Sequence, residues 1–178
     1  MEKGFFKKTV LIIALFSTTL IVFSQQKSIK DLDFLIGEWE VREDNTEEKW
    51  WEKAKRTGRY VLDSTFIELE SVAISSNGKE RTYRWFIHFN SKSQQFEMAS
   101  MYSNWDKILL DILHWDIEQR KLTIRNGKET NSHGYHERYG ALIFNEDFSG
   151  YVWEGQNKYG DPEKPKIWTY VEKGTRIK

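Results

Sequence analysis

Leu32-Asp33-Phe34-Leu35-Ile36-Gly37-Glu38-Trp39-Glu40-Val41 decides how the rest of the chain is read. An apolar run breaks at Gly37, and alternation follows: Trp39 and Val41 on one side, Glu38, Glu40 and Arg42 on the other. Such alternation marks a half-buried strand, because successive strand side chains point to opposite faces. Ser28-Ile29-Lys30-Asp31, just upstream, has a capping-box-like form and predicts one or two helical turns. The reading is a brief helix entering the first strand of a closed sheet, with Trp39 plugging its base.

Downstream, strand follows turn throughout. The first strand is expected from Glu38 to Arg42, and the second starts within Glu47 to Lys55, which holds Trp50 and Trp51. Gly58 reads as a break before the longest β-branched run, Arg59 to Ile74, whose alternation slips near Ser64 to Phe66 as at a bulge. Asn77-Gly78 is a strong hairpin signal. Further strands are expected at Glu80 to Asn90, Gln95 to Ser103, Ile108 to Trp115, Lys121 to Arg125, His133 to Asn145, Tyr151 to Asn157 and Ile167 to Glu172. Turn signals recur about every 8–12 residues, the spacing of all-β sandwiches and barrels. The connections are short enough to join antiparallel neighbours, and closure removes exposed edges. The fold class is therefore all-β: a single antiparallel up-and-down β-barrel of about 8–10 strands, with a short N-terminal helix.

Residues 1–24 read as a signal peptide. Lys3, Lys7 and Lys8 precede an apolar region from Val10 to Phe23, with a cleavage position after Ser24. That region is interrupted by Ser17, Thr18 and Thr19 and falls short of the roughly 20 residues of a membrane-spanning helix. The expectation is a periplasmic or secreted protein with no stable membrane span after cleavage. Residues 25–178 suffice for one domain with a single core.

With Cys 0, the chain has no lipidated cysteine, disulfide, thiolate metal site or cysteine nucleophile. The formal net charge is +0, so no basic field invites nucleic acid. Aromatic residues make up 15%, with Trp 8 against Pro 2, which implies a ring-rich core or a ring-lined pocket.

Phe34-Leu35-Ile36-Gly37-Glu38-Trp39 resembles the N-terminal Gly-x-Trp signature of the calycin group, which holds lipocalins, fatty-acid-binding proteins and nitrobindin-like barrels. The mature chain is also similar to small exported bacterial proteins of that group in two places. One is the run from Tyr83-Arg84-Trp85-Phe86-Ile87 through Phe96-Glu97-Met98; the other is the Asp147-Phe148-Ser149-Gly150 turn. The resemblance implies that Trp39 closes the barrel floor against an arginine of the last strand. Arg176 is the nearest candidate but lies past the strand expected at Ile167 to Glu172. It also implies a small hydrophobic or amphipathic ligand held inside. Nitrobindin-like barrels bind haem through a histidine near the C-terminus; the last histidine here is His136, so haem is not carried over and no cofactor is expected.

The cavity candidates are Trp39, Tyr83, Arg84, Trp85, His88, Phe96, Met98, Tyr102 and Trp153. Two faces of the strand at Glu80 to Asn90 compete for the interior. Arg84, Phe86 and His88 facing inward would make a polar-headed pocket, whereas Tyr83, Trp85, Ile87 and Phe89 would make an apolar or filled one. His133 and His136 would face opposite ways on one strand, which disfavours a shared metal; solvated loop histidines are the simpler reading. No nucleophile elbow, phosphate loop, Rossmann fingerprint or His-Glu-x-x-His motif is present. Two other functions stay open. One is a carbohydrate-binding module using exposed rings such as Trp50 or Trp51 and Trp105. The other is a hydrolase or isomerase using Arg84, His88 and an acidic neighbour.

Overall fold

The computed structural model describes residues 27–126, 129–131 and 134–177; the expected leader and His133 lie outside them. A 3-10 helix, Ile29–Leu35, opens the chain. Ser28 caps it, its side chain accepting from the Lys30 backbone N–H while the Asp31 carboxylate accepts from the Ser28 N–H. The strands follow as β1 (Gly37–Asn45), β2 (Trp51–Val61), β3 (Phe66–Ser75), β4 (Glu80–Asn90), β5 (Gln95–Tyr102) and β6 (Trp105–Asp116). Then come β7 (Lys121–Arg125), β8 (Glu129–Asn131), β9 (Gly134–Phe144), β10 (Gly150–Gly160) and β11 (Pro165–Arg176).

Except between β7 and β8, each strand pairs antiparallel with its sequence neighbours, and the sheet returns on itself because β11 pairs with both β10 and β1. β7 and β8 share one edge of β9: Arg125 lies opposite Tyr139 and Glu129 opposite His136. They form one interrupted strand, so ten strands close an up-and-down barrel. At the interruption, Asn126 accepts from the Arg138 backbone N–H at 2.5 Å and donates its own backbone N–H to the Arg138 carbonyl at 3.1 Å.

Three boundaries differ from expectation. The run Arg59 to Ile74 is two strands, split by a turn in which Leu62, Asp63 and Ser64 all take positive φ. Those side chains do not announce that conformation, because glycine or asparagine normally supplies it. Gly58 breaks nothing; it lies inside β2, where a Cβ would fall 2.0 Å from the Leu35 carbonyl oxygen of the 3-10 helix. The last strand runs on to Arg176, which pairs with Trp39 across β1.

That pairing builds the floor. The Arg176 guanidinium lies 4.4 Å from the Trp39 ring centroid and donates to the carbonyls of Ile36, at 2.5 Å, and Phe34. Such a cation over an indole face is attracted by the ring's quadrupole. Trp39 is 2% exposed, and its Nε1–H donates to the Leu35 carbonyl at 3.4 Å. Gly37 allows the approach: its φ is +121°, and a Cβ there would meet Arg176 Nη1 at 2.7 Å. Leu32, Leu35, Ile67, Ile87, Phe96, Met98, Leu122 and Phe144 fill the volume above the floor as apolar core.

Substituting Gly58→Ala drives a methyl into a carbonyl that the floor holds in place. Overpacking of this kind costs about 1–3 kcal/mol, so the variant is expected to unfold at lower urea than wild type. An unchanged midpoint would show that the helix does not rest on β2.

Candidate ligand-binding site

Towards the end away from Trp39 the barrel is not filled. A chamber of about 450 Å³ opens there, its walls including Trp50, Tyr83, Trp85, Tyr102, Trp105 and Trp153. That volume falls within the range of small-molecule sites.

Three arginines reach inside, each held by a carboxylate. Arg56 meets Glu172 through two bonds, Nη1–Oε1 at 2.8 Å and Nη2–Oε2 at 3.0 Å, with both side chains almost fully buried. Ser71 accepts from its Nε at 2.9 Å, and Tyr151 donates to Glu172 at 2.7 Å. The guanidinium also stacks 4.5 Å from the Trp85 ring centroid. Arg138 makes a second two-bond pair with Asp111 and donates to Tyr102 Oη and Ser100 Oγ, each at 2.9 Å. Arg81 pairs with Glu52, its Nη2 donating to Oε1 at 2.9 Å. Such forked pairs satisfy most of the donors that burial would otherwise orphan. Burial works against the charge of Arg56 and Arg138. Glu172, Tyr151 and Tyr83 outweigh it at the first, Tyr102 and Asp111 at the second, so both guanidiniums are held above their ordinary values.

Glu43 is the exception. It faces inward on β1 directly between Glu52 of β2 and Glu172 of β11, forming a row of three carboxyls across adjacent strands. The outer two take arginines; among the described residues Glu43 has no ion pair. Its pKa is pushed up to about 8, first by burial and then by the charge of Glu172, against the pull of Arg81 and a hydrogen bond from Trp168. The acid is therefore largely protonated at neutral pH.

Three polar atoms lining the chamber are buried and have no partner among the described residues: Trp85 Nε1, Trp153 Nε1 and Asn157 Oδ1. Trp153 lies flat on the wall over Gly140, where a Cβ would come within 2.2 Å of its Nε1. Trp85 and Trp153 meet edge to face at 5.2 Å.

Of the sequence candidates, Tyr83, Trp85, Tyr102 and Trp153 line the chamber. Trp39 is below it in the floor, and Phe96 and Met98 belong to the apolar core. Arg84 and His88 are on the outside of the wall. Arg84 pairs with Glu70 and Glu68, and His88 Nε2 is 3.0 Å from Glu97. The inward face of β4 is Tyr83, Trp85 and Ile87, since those side chains complete the core. The reacting set of Arg84, His88 and an acid is thus absent from the chamber. His136 is no loop histidine: it is buried on β9 against Asn126, its Nδ1 3.1 Å from Asn126 Nδ2. Trp50 and Trp105 are rim rings of the chamber, while Trp51 faces out, flanked by Arg42 at 5.2 Å and Lys53 at 5.6 Å. Sequence reasoning passed over Glu43, Arg81, Arg138, Asn157, Trp168 and Tyr170. The available signal was parity: Glu43 shares the face of Trp39 and Val41.

No known family matches the chain in sequence, and no curated protein does. Solved structures do match in shape. The S-type phycobiliprotein lyase CPES from Guillardia theta superposes with a TM-score of 0.59 at 9% identity, over 86% of this chain and 94% of that one. EF1p2_mFAP2b bound to DFHBI gives 0.47 at 10% identity, over 82% and 96%. A redesigned beta barrel, mFAP1, bound to DFHBI, gives 0.41 at 10%, over 81% and 96%. The likeness is one of fold.

Glu43 makes stability depend on pH in a direction opposite to that of an ordinary carboxylate pair. Unfolded, the acid loses its proton near its ordinary value of 4.5; folded, it keeps it to about 8. Between those limits the native state binds more protons, so stability falls as pH rises and levels off above about 8. Glu43→Gln cannot ionise and should lack this fall. Urea titrations at pH 5 and pH 8 are expected to show the variant gaining about 1–3 kcal/mol on wild type across that interval. Parallel stabilities would mean that Glu43 is ionised throughout.

Proposed function

We propose that this protein is an exported barrel that binds one small amphipathic molecule in the chamber above its core. Export is supported by the basic and apolar composition of residues 1–24. Interior binding is supported most directly by the open chamber of about 450 Å³ and the rings that border it, Tyr83, Trp85, Tyr102 and Trp153 among them. A flat molecule would stack on the indole rings of the chamber and lie beside Asn157. Tyr83, Trp85, Tyr102 and Trp153 supply the ring contacts in this reading, and Arg81 and Arg138 supply the polar edges. The three arginines are tied to carboxylates, so they shape the site without leaving a spare positive charge for an anion.

Nile red titrated into the full chain is expected to give a saturable, one-to-one rise in its fluorescence. Leu109→Trp places a larger side chain in the chamber and should weaken binding by about tenfold or more, whereas Leu110→Ser on the outer face should not change it. Unsaturable binding, or equal weakening by both substitutions, would contradict interior binding.

A further inference from the structure

Among the described residues, three guanidiniums point into the barrel, Arg56, Arg81 and Arg138, against four carboxyls, Glu43, Glu52, Asp111 and Glu172; of these, Arg81, Arg138, Glu43 and Glu172 border the chamber. Three pairs form and one acid is left over. The surplus is at the middle of the carboxyl row, where both cross-strand neighbours carry the same charge. Like charges opposite one another on a sheet are destabilising, so this position either keeps a proton or receives a cation.

Its surroundings suit a cation. Trp168 acts on Glu43 to favour its charged form, and Trp50 meets Trp168 edge to face at 5.2 Å; both rings border the chamber. Asn157, the cross-strand partner of Trp168, offers an acceptor oxygen with no donor among the described residues. Acceptors and indole faces therefore gather round Glu43. The deeper wall presents the unpartnered donors of Trp85 and Trp153, residues only 4% and 2% exposed. Indole is the best of the aromatic faces for a cation, and a carboxylate beside it adds a charge-assisted bond.

Resting on the interior-binding reading above, we propose that the ligand carries a protonated primary or secondary amine on a flat apolar body. The amine is received by Glu43, beside the contacting rings of Trp50 and Trp168 and next to Asn157. The incoming ammonium supplies the partner that Glu43 lacks, so Glu43 releases its proton to solvent as the ligand enters. The groups acting on Glu43 are Glu172 and Tyr170 from β11, Glu52 from β2, and Arg81 and Tyr83 from β4. The two carboxylates among them already hold arginines, which leaves the new charge to Glu43.

Three naphthalenes of similar size separate the possibilities: 1-naphthylmethylammonium, 1-naphthalenemethanol and 1-naphthoate, titrated by calorimetry at pH 7 into the full chain. The ammonium is expected to bind about tenfold or more tighter than the other two. Titrations in two buffers of different ionisation enthalpy should show release of most of one proton. In Glu43→Gln the ammonium should lose its advantage over the alcohol and release no proton. Equal binding of all three, tighter binding of naphthoate, or an ammonium preference that survives Glu43→Gln would overturn the assignment. If none of the three binds while Nile red still does, the amine inference fails alone; if Nile red also fails, the interior-binding reading fails with it.

Discussion

The Arg56–Glu172 pair divides this barrel into two storeys. Below it the inward side chains are apolar and packed to the floor; above it they are charged, ringed and open. A buried ion pair of this kind adds little net stability over an apolar substitute, because desolvation offsets most of its attraction. Breaking it is another matter: one unpaired buried charge costs about 3–5 kcal/mol. The pair therefore works as a constraint. It ties β2 to β11 over the intervening β1, while Arg138–Asp111 and Arg81–Glu52 link β9 to β6 and β4 to β2.

The lower storey makes that arrangement affordable. Trp39 and Arg176 seal one end, and Phe34 extends the seal by packing at 4.4 Å on Trp115 and 4.7 Å on Phe144. With one end closed by rings and apolar side chains, all access is through the other, where Glu43, Trp50, Trp105 and Trp168 stand. Floor, charged belt and aromatic rim thus form a sequence along the barrel axis. The positions that bear chemistry are those where the inward alternation of the strands continues past the core.

The floor was legible because Gly37 and Trp39 are a local signal, readable in a few residues. Strand alternation likewise exposed the all-β plan, and the Asn77-Gly78 hairpin is where its turn chemistry put it. The chamber was harder to see. Glu43 looks like the start of a polar turn after Arg42, yet β1 runs to Asn45 and points Glu43 inward with Trp39 and Val41. Arg56, Glu172, Arg138 and Asp111 are ordinary surface residues by type, and only pairing across 116 and 27 residues of sequence makes their burial tolerable. No local pattern announces such partners. Arg84 and His88 erred in the opposite sense: they shared a face with Phe86, but that face is held outside by Glu70, Glu68 and Glu97. Leu62-Asp63-Ser64 turned the chain without glycine or proline, so two strands looked like one.

At the centre of this account is a chamber kept open for an occupant. Native mass spectrometry of the wild-type protein isolated from its own cells, set beside the Leu109→Trp variant prepared alike, tests that directly. The account predicts a stoichiometric small-molecule adduct on the wild type that is lost on denaturation and missing from the variant. Bare polypeptide in both preparations, or the same adduct on both, would contradict it.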